Sequence, residues 1–500
     1  MTRSRRTLTW IPLFVFVGAL LLQTAWILAV PPFRGIDEFS HAFRAAAVAH
    51  GQWIAEPSEA TAGTGAVLTV PEGLVTAARP ICHAKPYTTA EDCEPVSSPT
   101  PDGMADIGSS AGRYHPAFYW VVGSFAEPFE GYPALYAMRV ATALLSAALL
   151  ALAAGVLVLW ARTRWMLAGL LLSATPVVLY STSIVSPNGV EICAAAVLWA
   201  SALGLCRNEL PSSDSRALII VGTFGASILA TLRPLGLLWV LLIALTVLPI
   251  AWPVLTSLVR RHARTLGAGA AVTAAVAVAS LTWIQTQDAL VLRNDGQSTL
   301  GDPVLGTLAQ LPVWLLQSIA AFPGRMEPAP TIVYATYVIA GLAFMAVGYY
   351  FASKLYRMVL FAVLAITVLF PFATTVATWD LYGPSWQGRY GLPFSIGLIL
   401  IAAMALDSRE ARHRWSTRLL IPMGLALCLA QIVSVVRVVV NEQATSVLAG
   451  SDGWITTNSW VAGLLAGLGG VAWLLAVSLG QPSAQGIEVR PPRAMRVSQS

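Results

Sequence analysis

The chain has 500 residues, of which 56% come from the apolar and aromatic set plus Cys and only 11% are charged, against about 25% in an ordinary soluble domain. So few charges cannot clothe a water-facing surface, and with a mean hydropathy of +0.68 most of the chain must face lipid. A cytosolic enzyme, a nucleic-acid-binding protein (despite a pI near 9.0) and a disordered chain are excluded, and the net charge of +5 speaks to topology rather than to partners.

Residues 1–7 carry Arg3, Arg5 and Arg6 and precede an apolar run over 8–30. That run is too long for a signal-peptide core and has no small-residue cleavage site, so it reads as a retained anchor. The next stretch, 31–132, is the largest soluble piece, rich in Pro, Gly, Ser and Thr (PSEATAGTGAV, PVSSPTPDG), and is expected to be largely irregular with helices lying on the membrane surface. Apolar runs then recur near 133–160, 165–185, 190–206, 217–232, 235–252 and 266–285, giving spans 2–7 over 133–285. A second polar segment, 286–330, holds a surface helix around 303–320. Runs near 331–351, 356–378, 389–406, 418–440 and 459–480 give spans 8–12 over 331–480, and a tail follows at 481–500.

The expectation is an all-α polytopic membrane protein of about twelve transmembrane helices with both termini on one side. The positive-inside rule makes that side cytoplasmic. Arg3, Arg5 and Arg6, Arg162 and Arg164, Arg207 and Arg216, Arg260, Arg261 and Arg264, Lys354 and Arg357, Arg409, Arg412, Arg414 and Arg418, and Arg490, Arg493 and Arg496 then fall inside, which is 19 of 30 basic residues. Location in the inner (plasma) membrane, with 31–132 and 286–330 external, follows.

Cys193, Cys206 and Cys428 lie in or beside spans and read as apolar fillers. Cys82 and Cys93 share the external loop, where an oxidising compartment favours a disulfide; metal binding with His83 is the alternative, and lacks an evident fourth ligand.

The chemistry concentrates in PPFRGIDEFSHAFRAAAVAHGQW, residues 31–53. Pro31 and Pro32 end the first span, Asp37 to His50 reads as a helix, and Gly51 stops it. At 100° per residue Asp37, His41 and Arg44 share one face and Phe39, Phe43 and Ala46 the other. Such a helix would lie on the outer surface with its phenylalanines in lipid and its polar face toward a cavity. The bland reading is that Asp37 is a helix N-cap and pairs with Arg44 in solvent.

Asp37-Glu38, Arg44 and Gly51-Gln52-Trp53 resemble the opening motif of the GT-C glycosyltransferases, in the branch of the lipid-A aminoarabinose and protein mannosyltransferases. Tyr114-His115-Pro116-Ala117-Phe118-Tyr119-Trp120 resembles that fold's next segment, with one proline where the family has two and His115 where a lysine is usual. Arg139 matches the arginine that opens the following span. The closer similarity is to a bacterial membrane family, domain of unknown function 2142, usually grouped with GT-C proteins. It is carried by Asp37-Glu38-x-x-His41, Ser186-Pro187-Asn188-Gly189, Arg233-Pro234, Pro328 to Pro330, and Gln387-Gly388-Arg389-Tyr390 with Pro393.

The resemblance implies a GT-C-like membrane glycosyltransferase that moves a sugar from a polyprenyl-phosphate carrier to a cell-envelope glycan or lipid. An inverting transfer needs a carboxylate to accept the acceptor's proton and cations to stabilise the departing phosphate. Asp37 is the candidate base, Glu38 the runner-up, and His41 would orient Asp37 or share a divalent cation with it. Arg44, His115, Tyr119, Arg139, Arg233, Arg389 and Tyr390 are the candidate substrate-binding residues; Arg437, also near an outer span end, joins the arginines that would border the phosphate. The absence of a D-x-D or phosphate-loop motif argues against a nucleotide-sugar donor. The aromatics Trp379, Tyr382 and Trp386 read either as interfacial belt or as sugar platforms, and Glu191 either as an interface residue or as a second carboxylate. The rival readings are a transporter or flippase of a lipid-linked glycan, which would place ionisable groups at the midplane and show two related halves, and a non-enzymatic envelope assembly protein.

Overall fold

The computed structural model describes residues 5–57, 65–85, 88, 93–98, 100–207, 210–289, 301–324, 327–407 and 413–480, with side chains left undescribed at 5–8 and 413–417. Arg3, Arg409, Arg412, Arg490, Arg493 and Arg496, and the side chains of Arg5, Arg6 and Arg414, therefore lie outside the described residues, as do most of PSEATAGTGAV and the tail at 481–500.

The first helix, α1 (Arg5–Ala29), ends two residues before Pro31-Pro32, where proline removes the backbone donors a helix needs. The segment up to residue 130 then holds α2 (Glu38–Ala49), β1 (Glu56–Pro57), β2 (Ala66–Pro71), α3 (Glu72–His83), β3 (Met104–Ser109) and α4 (Pro116–Ala126). The strands form an antiparallel sheet in the order β1-β2-β3, with Val67 opposite Gly108 and Leu68 opposite Ile107. This corrects the expectation of an irregular loop. Alternate residues of β2 and β3 are buried, the two-residue period that marks a half-covered strand. A Cys82–Cys93 disulfide, with its Cα atoms 5.6 Å apart, ties the end of α3 to the chain leading into β3.

The expectation of α2 on the membrane surface is also corrected. Every residue from Glu38 to Val48 is buried, Phe39 and Phe43 included. One side packs on α4 so closely that a Cβ on Gly123 would meet Ala45 O at 2.0 Å. The sheet covers another side, Ser109 Oγ donating to Ser40 O at 2.9 Å. The phenylalanines are thus buried by protein rather than by lipid.

The remaining helices are α5 (Gly131–Trp160), α6 (Trp165–Ser173), α7 (Pro176–Ser181), α8 (Pro187–Leu205), α9 (Ser212–Leu232), α10 (Pro234–Thr286), α11 (Pro303–Ile319), α12 (Thr331–Phe351), α13 (Lys354–Ala377), the single turn α14 (Trp379–Tyr382), α15 (Leu392–Asp407), α16 (His413–Thr445) and α17 (Ser459–Leu479). Ten described helices are long and apolar enough to cross a membrane, and the chain is a multi-pass membrane protein.

Two features bring the crossings to twelve. The 53-residue α10 has a non-helical residue at His262 (φ −130°, ψ 25°), and its second half folds back along α9: a Cβ on Gly269 would touch Thr223 Oγ1 at 2.5 Å, and Trp283 returns beside Arg233 and Pro234. The run expected near 165–185 is the broken pair α6–α7, interrupted before Pro176. The carbonyl of Ala174, left without an in-helix partner, accepts from Gln431 Nε2 at 3.0 Å, since an unpaired carbonyl within a bilayer costs several kcal/mol. The turns 30–37, 182–186, 233 and 387–391 gather at one end of the bundle, here the site end. The turn at 161–164, residues 206, 207, 210 and 211, His262 and the turn at 352–353 gather at the far end.

Candidate functional site

Asp37 precedes α2 in the left-handed region (φ 56°, ψ 16°) and its side chain makes no capping hydrogen bond. Asp and Asn tolerate this conformation better than other L-residues. The capping interpretation therefore fails, and so does the Asp37–Arg44 pair. The carboxylate is 42% exposed and lies 3.9 Å from Arg389 Nη2.

Glu38, one residue on, is its opposite. It is fully buried and held bidentately by Arg139, with Nε to Oε1 and Nη2 to Oε2 both at 2.7 Å. Gly35 N and Val185 N also donate to it. Arg139 spends its remaining donors on the carbonyls of Ile27, Val30 and Pro31. The pair clamps the end of α1, the start of α2, α5 and the turn before α8. Neither residue has an atom left for a substrate, so both leave the candidate set as structural groups.

His41 and Arg44 are likewise internal. His41 Nδ1 meets Tyr119 OH at 2.8 Å, and its ring stacks against Tyr114 and Tyr119. Burial pushes His41 down to about 3, so the imidazole is neutral at physiological pH. Arg44 donates to the carbonyls of Gln52, Trp53 and Tyr114, and burial lowers it to about 10. His115 is a helix cap, its Nδ1 accepting from Ala117 N at 3.3 Å. A shared divalent cation on Asp37 and His41 fits poorly: Tyr119 holds one imidazole nitrogen, and against Asp37 three cations, Arg233, Arg389 and Lys85, also bear on the ring. Among the described residues no three His, Cys, Asp or Glu side chains come together as a metal cluster.

The motifs spread from 186 to 390 meet at this end. Ser186 caps α8, and Asn188 Oδ1 accepts from Arg233 Nη1 at 3.1 Å. Arg233 also lies 4.0 Å from Glu191 Oε2. Gly189 is obligatory because a Cβ there would sit 2.4 Å from Ser181 O, and Gly388 because a Cβ would sit 1.9 Å from Trp314 O. Gly388 thus locks the next residues against α11. The guanidinium carbons of Arg233 and Arg389 then lie 4.5 and 5.5 Å from the centre of the Tyr390 ring, two cations on one aromatic. Arg389 is 5% exposed, and among the described residues its Nε has no hydrogen-bond partner. Arg437 is exposed on α16 and stands apart from this group.

Asp37 opens into a cavity of about 600 Å³ lined by Arg34, Ile36, Asp37, Ile81, Ala84, Lys85, Gly324, Glu327, Gln387, Glu442, Thr445, Ser446 and Val447. Lys85 Nζ donates to Gly35 O at 3.2 Å and stands 4.5 Å over the Phe39 ring. Burial lowers this lysine to about 8 against the opposing pull of Asp37 and Glu38. Arg34 pairs with Glu327, and its Nε lies 3.3 Å from Glu442 Oε2.

The family model described as "Predicted membrane protein (DUF2142)" matches residues 20–398, which is most of the chain and every motif named above. The chain belongs to the DUF2142 family. No curated protein matches this DUF2142 chain. Among solved structures it is similar to ArnT from Cupriavidus metallidurans in the apo state, at 15% identity over 94% of this chain and 76% of that one, with a TM-score of 0.41. For ArnT bound to undecaprenyl phosphate the figures are 16%, 94%, 77% and 0.39.

Sequence reasoning missed four charged or polar groups of the DUF2142 cavity. Arg34 stood inside the motif already singled out. Lys85 is one of two lysines among 30 basic residues, a scarcity that was itself a signal. Glu327 sits beside the Pro328–Pro330 motif. Glu442 is an acid within an apolar helix, which in a membrane protein marks a functional candidate.

Proposed function

We propose that this protein is a GT-C-type inverting glycosyltransferase that moves a sugar from a polyprenyl-phosphate donor to a cell-envelope glycan or lipid on the outer face of the inner membrane. The observation that carries the reading is Asp37: a carboxylate at a capping position that does not cap, open to a polar cavity and faced by a buried arginine. In the reaction Asp37 accepts the proton of the acceptor hydroxyl, the acceptor oxygen bonds to the anomeric carbon, and the bond from that carbon to the phosphate oxygen breaks. Arg389 and Arg233 receive the negative charge that leaves with the lipid phosphate, since guanidinium binds phosphate oxygens in a two-pronged fork.

The side of the membrane follows from charge. With 19 of 30 basic residues assigned to far-end segments and both termini, the far end is cytoplasmic and 31–132 and 286–330 are external. Ionisable groups lie toward the two ends of the bundle rather than at the midplane, which favours transfer over transport.

The test is a labelled polyprenyl-phosphate sugar incubated with membranes containing the protein. Label should move to a lipid or glycan fraction with wild type and not with Asp37→Asn. Label movement that Asp37→Asn leaves intact would overturn the assignment. A cysteine at Asp102 should react with impermeant reagent on intact cells; reaction only after lysis would invert the topology.

A further inference from the structure

Phe33 and Asp37 are both left-handed without being glycine, with φ 61° and 56°, so the turn between α1 and α2 has a shape that L-residues disfavour. Such a turn persists only where its surroundings fix it. The helical bundle supplies two holds: Arg139 Nη2 donates to Pro31 O at 2.8 Å, and Ile36 N donates to Tyr180 OH at 3.1 Å. The third hold comes from the external segment. Lys85 Nζ donates to Gly35 O at 3.2 Å, midway between the two left-handed residues, and stands over the Phe39 ring. It shares the cavity wall with Asp37, and the charges that bear on it are Asp37 and Glu38 against Arg34. Glu327 and Glu442 line the same cavity, and the lysine's own charge reaches His41 on α2.

Lys85 is aimed in turn by the disulfide. Its backbone N donates to Cys82 O at 3.1 Å, and Thr88 Oγ1 lies 2.5 Å from Cys82 O and 3.1 Å from Lys85 O. The bond to Cys93 pins Cys82, and both cysteines are buried. A lysine stem is long and flexible, and fixing the backbone beneath it is what turns the ammonium into a positioning group.

We propose that Lys85 is the positioning residue for Asp37: aimed by the Cys82–Cys93 bridge, its ammonium closes the turn at Gly35 and sets a positive charge against the Asp37 carboxylate. The inference deepens the transfer reading and rests on it, because a base two residues from the held carbonyl keeps its direction only while the turn is closed. Lys85 acts through Asp37 and not on the substrate.

The chain has two lysines, Lys85 and the exposed Lys354, so an amine reagent reads one against the other. Full-length detergent-solubilised protein is labelled with trace acetic anhydride, which attacks only the unprotonated amine, and the ratio of Lys85 to Lys354 labelling is read by peptide mass spectrometry at pH 7 and pH 10. Burial holds Lys85 at about 8 against the opposing pull of Asp37, so loss of that carboxylate frees more neutral amine. Asp37→Asn should therefore raise the ratio at least about threefold at pH 7 and leave it unchanged at pH 10, where the amine is already neutral. Cys82→Ser should raise it at least about threefold at pH 10, as the stem leaves Gly35 for solvent. No change in Asp37→Asn at pH 7, an equal rise at both pH values, or wild-type labelling in Cys82→Ser overturns the proposal. Should Cys82→Ser fail to fold, folded wild type reduced with a phosphine decides by the same criterion. In the transfer assay Lys85→Met should lower kcat at least about tenfold with KM within about twofold; an unchanged kcat would overturn the positioning role. The labelling needs no transfer, so the two readings fail separately: transfer that survives Asp37→Asn removes the base and leaves the labelling result standing.

Discussion

At the far end of the bundle Asp407 is fully buried and accepts from Thr163 N at 2.6 Å, from Thr163 Oγ1 at 2.7 Å, from Arg162 N and from Arg207 Nη2. At the site end Glu442 is as deeply buried, and neither of its oxygens is hydrogen-bonded among the described residues. Both carboxylates terminate or nearly terminate an apolar helix, α15 and α16. The far-end group staples the α5–α6 turn to the ends of α8 and α15 and has no capacity left. At the site end Glu442 shares the Arg34 guanidinium with Glu327, and among the described residues Arg389 Nε has no hydrogen-bond partner. Burial alone thus does not separate the two ends; the partners that each buried carboxylate meets do.

The largest test of that contrast is at the far end. Asp407→Ala should lower stability by about 3–5 kcal/mol, because it strands the Arg207 charge and two backbone donors. Thermal melting in detergent would read this, and turnover per folded molecule should be unchanged. A variant that melts like wild type would show that the staple does not hold the helices.

Asp37→Asn should do the reverse. Turnover should fall by about a hundredfold to a thousandfold, in the range expected for a general base, with melting unchanged because the amide keeps the left-handed backbone. Wild-type turnover in this variant would falsify the base assignment, and Glu38, committed to Arg139, could not replace it.

Arg389→Lys keeps the charge and loses the fork. It should weaken donor binding or turnover at least about tenfold, about 1.4 kcal/mol, while Arg493→Lys in the C-terminal tail should have no effect. Equal effects from the two would remove the phosphate role.

His41 gives the most specific effect, absent at neutral pH and present only in acid. Its folded value of about 3 lies below the unfolded value of 6.5, so between these limits the unfolded chain binds a proton that the folded one does not. Stability is therefore undiminished above about pH 6.5 and falls as the pH drops toward 3, by at most about 1.4 kcal/mol per pH unit. The melting temperature of His41→Gln should show a shallower acid slope than wild type. The transfer rate should show no limb from His41 between pH 5 and 8; such a limb, abolished by His41→Gln, would mean that the ring is not buried as described.

Much of this was legible in the chain. The apolar runs gave the crossings because hydrocarbon thickness sets a length that the sequence must meet. The short motifs at 37, 186, 233 and 387 met in space as their shared topological side required. Adjacent residues were the limit. Asp37 and Glu38 are indistinguishable as letters at a helix start, and only the approach of Arg139 from 101 positions away separates them. Arg139 and Arg233 likewise look alike, yet one is saturated by carbonyls and the other flanks an aromatic ring. The sheet was missed because glycine- and proline-rich flanks masked two short alternating strands. Glu442 was missed because no neighbour in sequence pointed to it.

The left-handed backbone at position 37 has one more consequence. Chirality admits few residues there: glycine freely, Asp, Asn and His at modest cost, and others at about 1–2 kcal/mol. Proton acceptance admits a different few, chiefly Asp, Glu and His. The two filters act on unrelated properties, one on the shape of the main chain and one on the acidity of the side chain, and aspartate and histidine are the residues that pass both at modest cost. A library randomised at this codon should therefore recover glycine and asparagine among the folded clones, and aspartate first among the active ones, with histidine the other residue able to appear there.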